Sequence, residues 1–157
     1  MIALQEKFMR EAIRQAEMAR AAGDYAIGAV IVHDDRVIAA CSSRSKRDES
    51  PVVHAETLAL VEASKILKSR HLPHCILYTT HEPCPMCASV AVWARIKGIV
   101  YGARTEDMAA YRKSHTNPHY LWRTIDISCE DVIAKSTEKV EVVKDFLREE
   151  CVKLFHS

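Results

Sequence analysis

No stretch of the 157 residues is apolar over the length needed to cross a bilayer. That excludes a membrane-spanning helix and leaves no membrane partner to expect. Net charge is also almost absent: 22 Lys and Arg stand against 21 Asp and Glu, a formal +1. The chain as a whole therefore has no field that would draw it to a phosphate backbone, although local basic clusters stay open. The N-terminal "MIALQEKFMREAIRQAEMARAAG" is amphipathic, with apolar Leu4, Phe8, Ala12, Ile13, Ala16 and Ala19. It lacks the continuous apolar block and cleavage site of a secretory signal, so a cytoplasmic address is expected. There is no internal repeat and no low-complexity segment.

What is present is the composition of an ordinary globule, 48% hydrophobic and 27% charged, read as one domain over residues 1–157 with a core of useful size. Six cysteines in an intracellular chain point to metal binding or core packing rather than disulfides. Cys41, Cys75, Cys129 and Cys151 lie in apolar or mixed runs and read as small core residues.

Along the chain, the first helix breaks at Gly23-Asp24. "AIGAVIV" (residues 26–32) reads as a buried strand, "HDDR" as a turn and "VIAAC" (37–41) as the returning strand of a hairpin. "SSRSKRDESP" (42–51) is a loop. The apolar spacing predicts a helix over 54–68, a strand over 75–80, a helix over 85–97 opened by Pro85, and a strand over 98–103. Residues 104–133 give a mixed signal, loop with short helices. "KVEVV" (139–143) alternates as a strand, and residues 144–155 carry helical spacing. Helices alternating with strands imply layers of helix on a sheet, here an α/β fold of the three-layer α/β/α type.

The chemistry gathers in two places. "HEPCPMC" holds Cys84 and Cys87 two residues apart. Alone, such a pair is half of a zinc site, a redox pair, or chance. No second C-x-x-C exists, which argues against a four-cysteine finger. Thirty residues upstream, "SPVVHAETLAL" places His54 and Glu56 at the head of a helix. Two helix N-termini at one sheet edge can bring His54, Cys84 and Cys87 together. Three protein ligands with one open position are the composition of a catalytic zinc site, where bound water has its pKa lowered towards about 7. Glu56 is then free to move protons. H-x-E…P-C-x-x-C is the signature of zinc nucleobase deaminases, and His54-Ala55-Glu56 with Pro83-Cys84-Pro85-Met86-Cys87 matches it.

Through "IGAVIV", "HAETLAL", "LPHCILYTTHEPCPMC" and "WARIKGIVYGA", residues 8–103 resemble the cytidine-deaminase-like superfamily. The resemblance is to the branch of bacterial guanine deaminases, fungal cytosine deaminases and bacterial tRNA adenosine deaminases. "EPCPMC" with "WAR" looks nearest to guanine deaminases; "LREECVKLF" looks more like the closing helix of the tRNA enzymes. The resemblance implies a central mixed sheet, one Zn2+ per subunit and a homodimer. It implies His54, Cys84 and Cys87 as zinc ligands, Glu56 as the catalytic proton shuttle, and Ala55, Ser43 and Ile27 as substrate-binding positions. Two features depart from it. Ser43 stands where an Asn usually reads the base, and Ser50-Pro51-Val52-Val53 replaces the usual Asp-Pro-Thr-Ala before the histidine.

The implied activity is hydrolytic deamination of a small heterocyclic base, guanine or a relative, with release of ammonia. Deamination of adenosine in tRNA is the alternative, for which "SSRSKR" (42–47) is one basic cluster and "ARTEDMAAYRK" supplies scattered charge. A catalytically silent zinc domain is a third reading, against which Glu56 argues. Asp107, Tyr111, His115, His119 and Trp122 read as surface or packing residues that could instead line an entrance. Trp93, half a helical turn from Cys84, should face the core or a dimer interface.

Overall fold

A computed structural model describes residues 1–116 and 121–156 of the chain. Helix α1 (Glu6–Ala21) buries Phe8, Met9, Ala12, Gln15, Ala16 and Ala19, one stripe at the helical period. It stops where Gly23 takes a left-handed φ of 80°. Strands β1 (Gly28–His33) and β2 (Arg36–Ser42) follow as a hairpin. Asp34 and Asp35 both have positive φ, the requirement of a two-residue turn that matches strand twist.

Helix α2 (Ala55–Leu67) leads to β3 (Ile76–His81), and α3 (Pro85–Trp93) leads to β4 (Gly98–Ala103). Then come α4 (Thr105–Ser114), α5 (Cys129–Ala134), β5 (Glu141–Val143) and α6 (Arg148–Lys153). The five strands form one mixed sheet in the order β2-β1-β3-β4-β5. The β1 pairings are antiparallel; β3–β4 and β4–β5 are parallel.

Adjacent residues of the central strands face opposite layers, as the pleat requires. Ile31, Leu77 and Ile99 pack with Ala59 and Leu60 of α2 and Ala88 and Ala91 of α3. Val30, Tyr78 and Val100 pack with Phe8 and Met9 of α1, Met108 of α4, and Cys151 and Phe155. The three-layer α/β/α expectation therefore stands. The close approach of α1 to β1 explains Gly28: a Cβ there would collide with the Ala12 carbonyl and the Ala16 amide.

Several boundaries differ from the sequence expectation. The 85–97 helix ends at Trp93, because Arg95 takes φ 52° and the chain turns back so that Lys97 N–H reaches the Cys75 carbonyl at 2.9 Å. The closing helix over 144–155 shrinks to α6. Phe146 N–H donates to the Tyr101 carbonyl at 3.1 Å, and Leu147 is left-handed, so a helix cannot begin earlier. The strand over 139–143 shortens to β5. Residues 104–133 hold a ten-residue helix as well as a short one. Leu4 is exposed rather than part of the α1 stripe. Cys75, Cys129 and Cys151 are buried as expected, whereas Cys41 is half-buried. Trp93 is 76% exposed and outside the core. His119 lies outside the described residues.

Candidate metal centre and active site

Residues with good capping side chains usually open helices. Here His54 is the N-cap of α2 and Cys84 the N-cap of α3, and neither side chain caps its helix. Both are turned towards each other instead. His54 Nδ1 lies 3.6 Å from Cys84 Sγ and 3.4 Å from Cys87 Sγ. Cys87 is reached because it is the third residue of α3, one turn on from Cys84.

Among the described residues these three form the one group of metal-ligating side chains that converge, with donor atoms within 4.8 Å of one another. One imidazole and two sulfurs suit zinc by softness and ligand type. The surroundings favour thiolate at Cys84. The hydrogen bond from Cys87 holds the Cys84 thiol down at about 4, while Cys87 itself is raised by that same partner and by burial. The positive ends of two helices act in the same sense.

Glu56 is the second residue of α2 and is buried. Its Oε2 is buried without a hydrogen-bond partner among the described residues. Burial, and next the charge of Cys84, push its carboxyl up to about 7. A buried carboxyl with an unpaired oxygen is costly to keep, and this one stands two residues after His54 of the converging cluster.

Ala55, between the ligand and the acid, is the first residue of α2, so its N–H has no partner within the helix. Ile27 and Ser43 are neighbours, since Ser43 N–H donates to the Ile27 carbonyl at 3.0 Å. The next residue ties this pair to the cluster: Arg44 N–H donates to the carbonyl of Val53, which precedes His54. Ser43 is buried, not a solvated loop serine, and its hydroxyl donates to Asp24 Oδ1 at 3.3 Å.

Asp24 has no counterpart in the sequence reading. Fully buried, it accepts N–H groups of Tyr25, Lys46 and Arg47 and so organises the loop that carries Ser43. Its placement after a helix-ending glycine was the available signal. Of the entrance candidates, Trp122 is buried, with its ring edge-on to His81 at 5.1 Å and to Tyr25 at 6.0 Å. Asp107 pairs with Arg148 at 2.7 Å, and His115 stacks on Tyr111. These contacts are packing and surface interactions.

Residues 3–103 match the family model described as the cytidine and deoxycytidylate deaminase zinc-binding region. The chain belongs to that family. It is 40% identical over 98 residues to a tRNA-specific adenosine deaminase of Bacillus subtilis strain 168, covering 62% of this chain and 61% of that protein. It is 35% identical over 127 residues to a guanine deaminase of the same organism, 80% of each chain. A solved structure from a study of A-to-I editing by tRNA:A34 deaminases at the wobble position has a TM-score of 0.79 at 28% identity, covering 96% of this chain and 99% of that one. The mixed sheet flanked by helices is thus the cytidine deaminase-like fold, and the His54–Cys84–Cys87 cluster is a place that can hold its zinc ion.

Proposed function

We propose that the chain is a zinc-dependent hydrolytic deaminase acting on a small aminated heterocyclic base of the guanine type. The observation that carries this is the buried, partly unpaired Glu56 carboxyl two residues after a ligand of the three-donor cluster. His54, Cys84 and Cys87 would hold the zinc ion, which would supply the Lewis acidity that makes water a nucleophile near neutral pH.

The chain's own residues do the rest. Glu56 takes a proton from the attacking water and gives it to a ring nitrogen of the base. It then carries the second proton to the departing amine. One C–O bond forms, one C–N bond breaks, and ammonia leaves. The Ala55 N–H offers a donor to the ring, and Ile27 an apolar wall. Ser43 gives its one proton to Asp24, so only its lone pairs are left to meet a substrate N–H. Guanine offers both a carbonyl acceptor and ring N–H donors, which suits this pairing.

The basic loop argues for a small base over tRNA. Arg44 pairs with Asp48 at 2.8 Å. Arg47 folds back onto Asp24 and donates to the Ser43 carbonyl at 2.7 Å. Both of the cluster's guanidinium groups thus already have partners within the protein. The relatives that act on tRNA keep that substrate as the second reading. The test is ammonia release from the zinc-loaded protein with guanine, adenine, cytosine, isocytosine, amino-triazines, pterins, their nucleosides and a tRNA anticodon stem-loop. Turnover of a free base is expected. Turnover of the stem-loop alone would overturn the base reading, and silence with zinc present would favour a catalytically silent domain.

This reading includes a single domain in the cytoplasm; no described helix is long and apolar enough to cross a membrane. It also includes a homodimer. Trp93 on α3 is exposed, as are Val61 and Ile66 on α2, and these two helices share one layer beside the metal cluster. Trp93→Glu is expected to convert the dimer to monomer in analytical ultracentrifugation. A wild-type chain that sediments as a monomer at tens of micromolar would refute it.

A further inference from the structure

Glu82 lies between the end of β3 and the Pro83–Cys84 turn, and it is buried. Its Oε2 accepts the backbone N–H of Thr105 at 2.8 Å, and its Oε1 accepts that of Cys129 at 3.0 Å. Those are the first residues of α4 and α5. Its own N–H donates at 2.7 Å to the carbonyl of Ala103, the last residue of β4. One side chain therefore joins the cysteine turn to two helices that begin 23 and 47 residues further on.

The physical logic is local. Burying a carboxylate is unfavourable unless its lone pairs are hydrogen-bonded. First-turn amides are donors with no partner inside their helix. Two such amides meeting one carboxylate satisfy both needs, and the positive ends of the helices add to the attraction.

What these helices carry bears on the site. Trp122, in the stretch between α4 and α5, meets the His81 ring three residues before Cys84. Helix α5 packs on α3. The Cys129 thiol is raised chiefly by burial and further by the nearby charges of Glu130, Glu82, Glu56 and Cys84. The charges of the acid and of Cys84 thus reach the start of α5.

We propose that Glu82 is a positioning residue. By binding the first amides of α4 and α5, it sets these helices and Trp122 as a wall against the metal-bearing end of the sheet, without itself holding metal. The kinetic consequence rests on the deaminase reading; the structural one does not.

Glu82→Gln tests it. An amide has one acceptor oxygen and an NH2 that would face a second donor, so only one of the two backbone amides keeps its bond. Zinc content is expected to match wild type. Hydrogen exchange at the Thr105 or the Cys129 amide is expected to speed up about tenfold or more, while the β3 and β4 amides hold their rates. On the substrate that the panel identifies, KM is expected to rise by about tenfold, more than kcat falls.

Unchanged exchange at both amides would overturn the proposal. So would zinc loss with both amides still protected, which would place Glu82 in support of the ligands. A fall in kcat at constant KM would also overturn it. If Glu82→Gln does not fold, the wild-type chain decides. Its Thr105 and Cys129 amides should be protected despite their first-turn positions, and fast exchange at both refutes the idea. The exchange measurement needs no turnover, so a silent substrate panel would count against the deaminase reading alone.

Discussion

Glu56→Gln is expected to lower kcat by roughly 10²–10⁴-fold, the usual worth of a positioned acid–base group, with zinc still bound. Gln keeps the shape of the side chain but cannot carry a proton at neutral pH. The three donor atoms, His54 Nδ1 and the sulfurs of Cys84 and Cys87, are untouched by the change. The variant should also unfold at the same temperature as wild type or higher. Wild-type Glu56 buries an oxygen that has no partner among the described residues, and a neutral amide removes a charge from that position. The paired measurements are steady-state kinetics and metal content by mass spectrometry. Activity within about tenfold of wild type, with zinc in place, would remove Glu56 from the mechanism.

Cys84→Ala is expected to lose both zinc and turnover. Cys84 donates from the head of α3, where its thiol is held down at about 4 by the hydrogen bond from Cys87. No other described ligand converges on the cluster to replace it. Groups that act as a unit are not additive, so Cys84→Ala with Glu56→Gln should be no slower than Cys84→Ala alone. The unfolding temperature should then cease to rise with added zinc, because a ligand stabilises only the state that binds it. A Cys84→Ala protein that still holds zinc through dialysis and still releases ammonia would refute the ligand assignment.

The metal cluster was legible in the sequence because each of its parts is local. His54 caps α2 two residues before Glu56, and Cys84 caps α3 three residues before Cys87. A helix places such residues together whatever the rest of the chain does. The strands were legible for a similar reason: the β-branched run Val30, Ile31 and Val32 of β1 is buried on both faces and needs no distant partner to be recognised. Ser43 was the opposite case. It lies in a stretch that reads as a loop over 42–51, and only the burial of Asp24 decided the orientation of its hydroxyl.

Residues 104–156 show what local pattern cannot supply. Helices α5 and α6 are six residues each, too short to persist by propensity alone. They exist because other parts of the chain hold their ends. Glu82 binds the first amide of α5, and Arg148 in α6 pairs with Asp107 of α4. Leu147 adopts a left-handed φ that no spacing of apolar residues would forecast. Trp93 belongs here as well, since its place on α3 put it opposite the cysteines, and only packing left it in solvent.

The sequence by itself carried the resemblance to the family, the alternation of helices and strands, and the close spacing of His54 with Glu56 and of Cys84 with Cys87, because each of those pairs and each strand is a local pattern. The tertiary structure decided the wall that α4, α5 and Trp122 form, the inward turn of Arg47, and the role open to Glu82. These depend on hydrogen bonds between residues tens of positions apart, and free energy of that kind arises only once the chain has closed on itself.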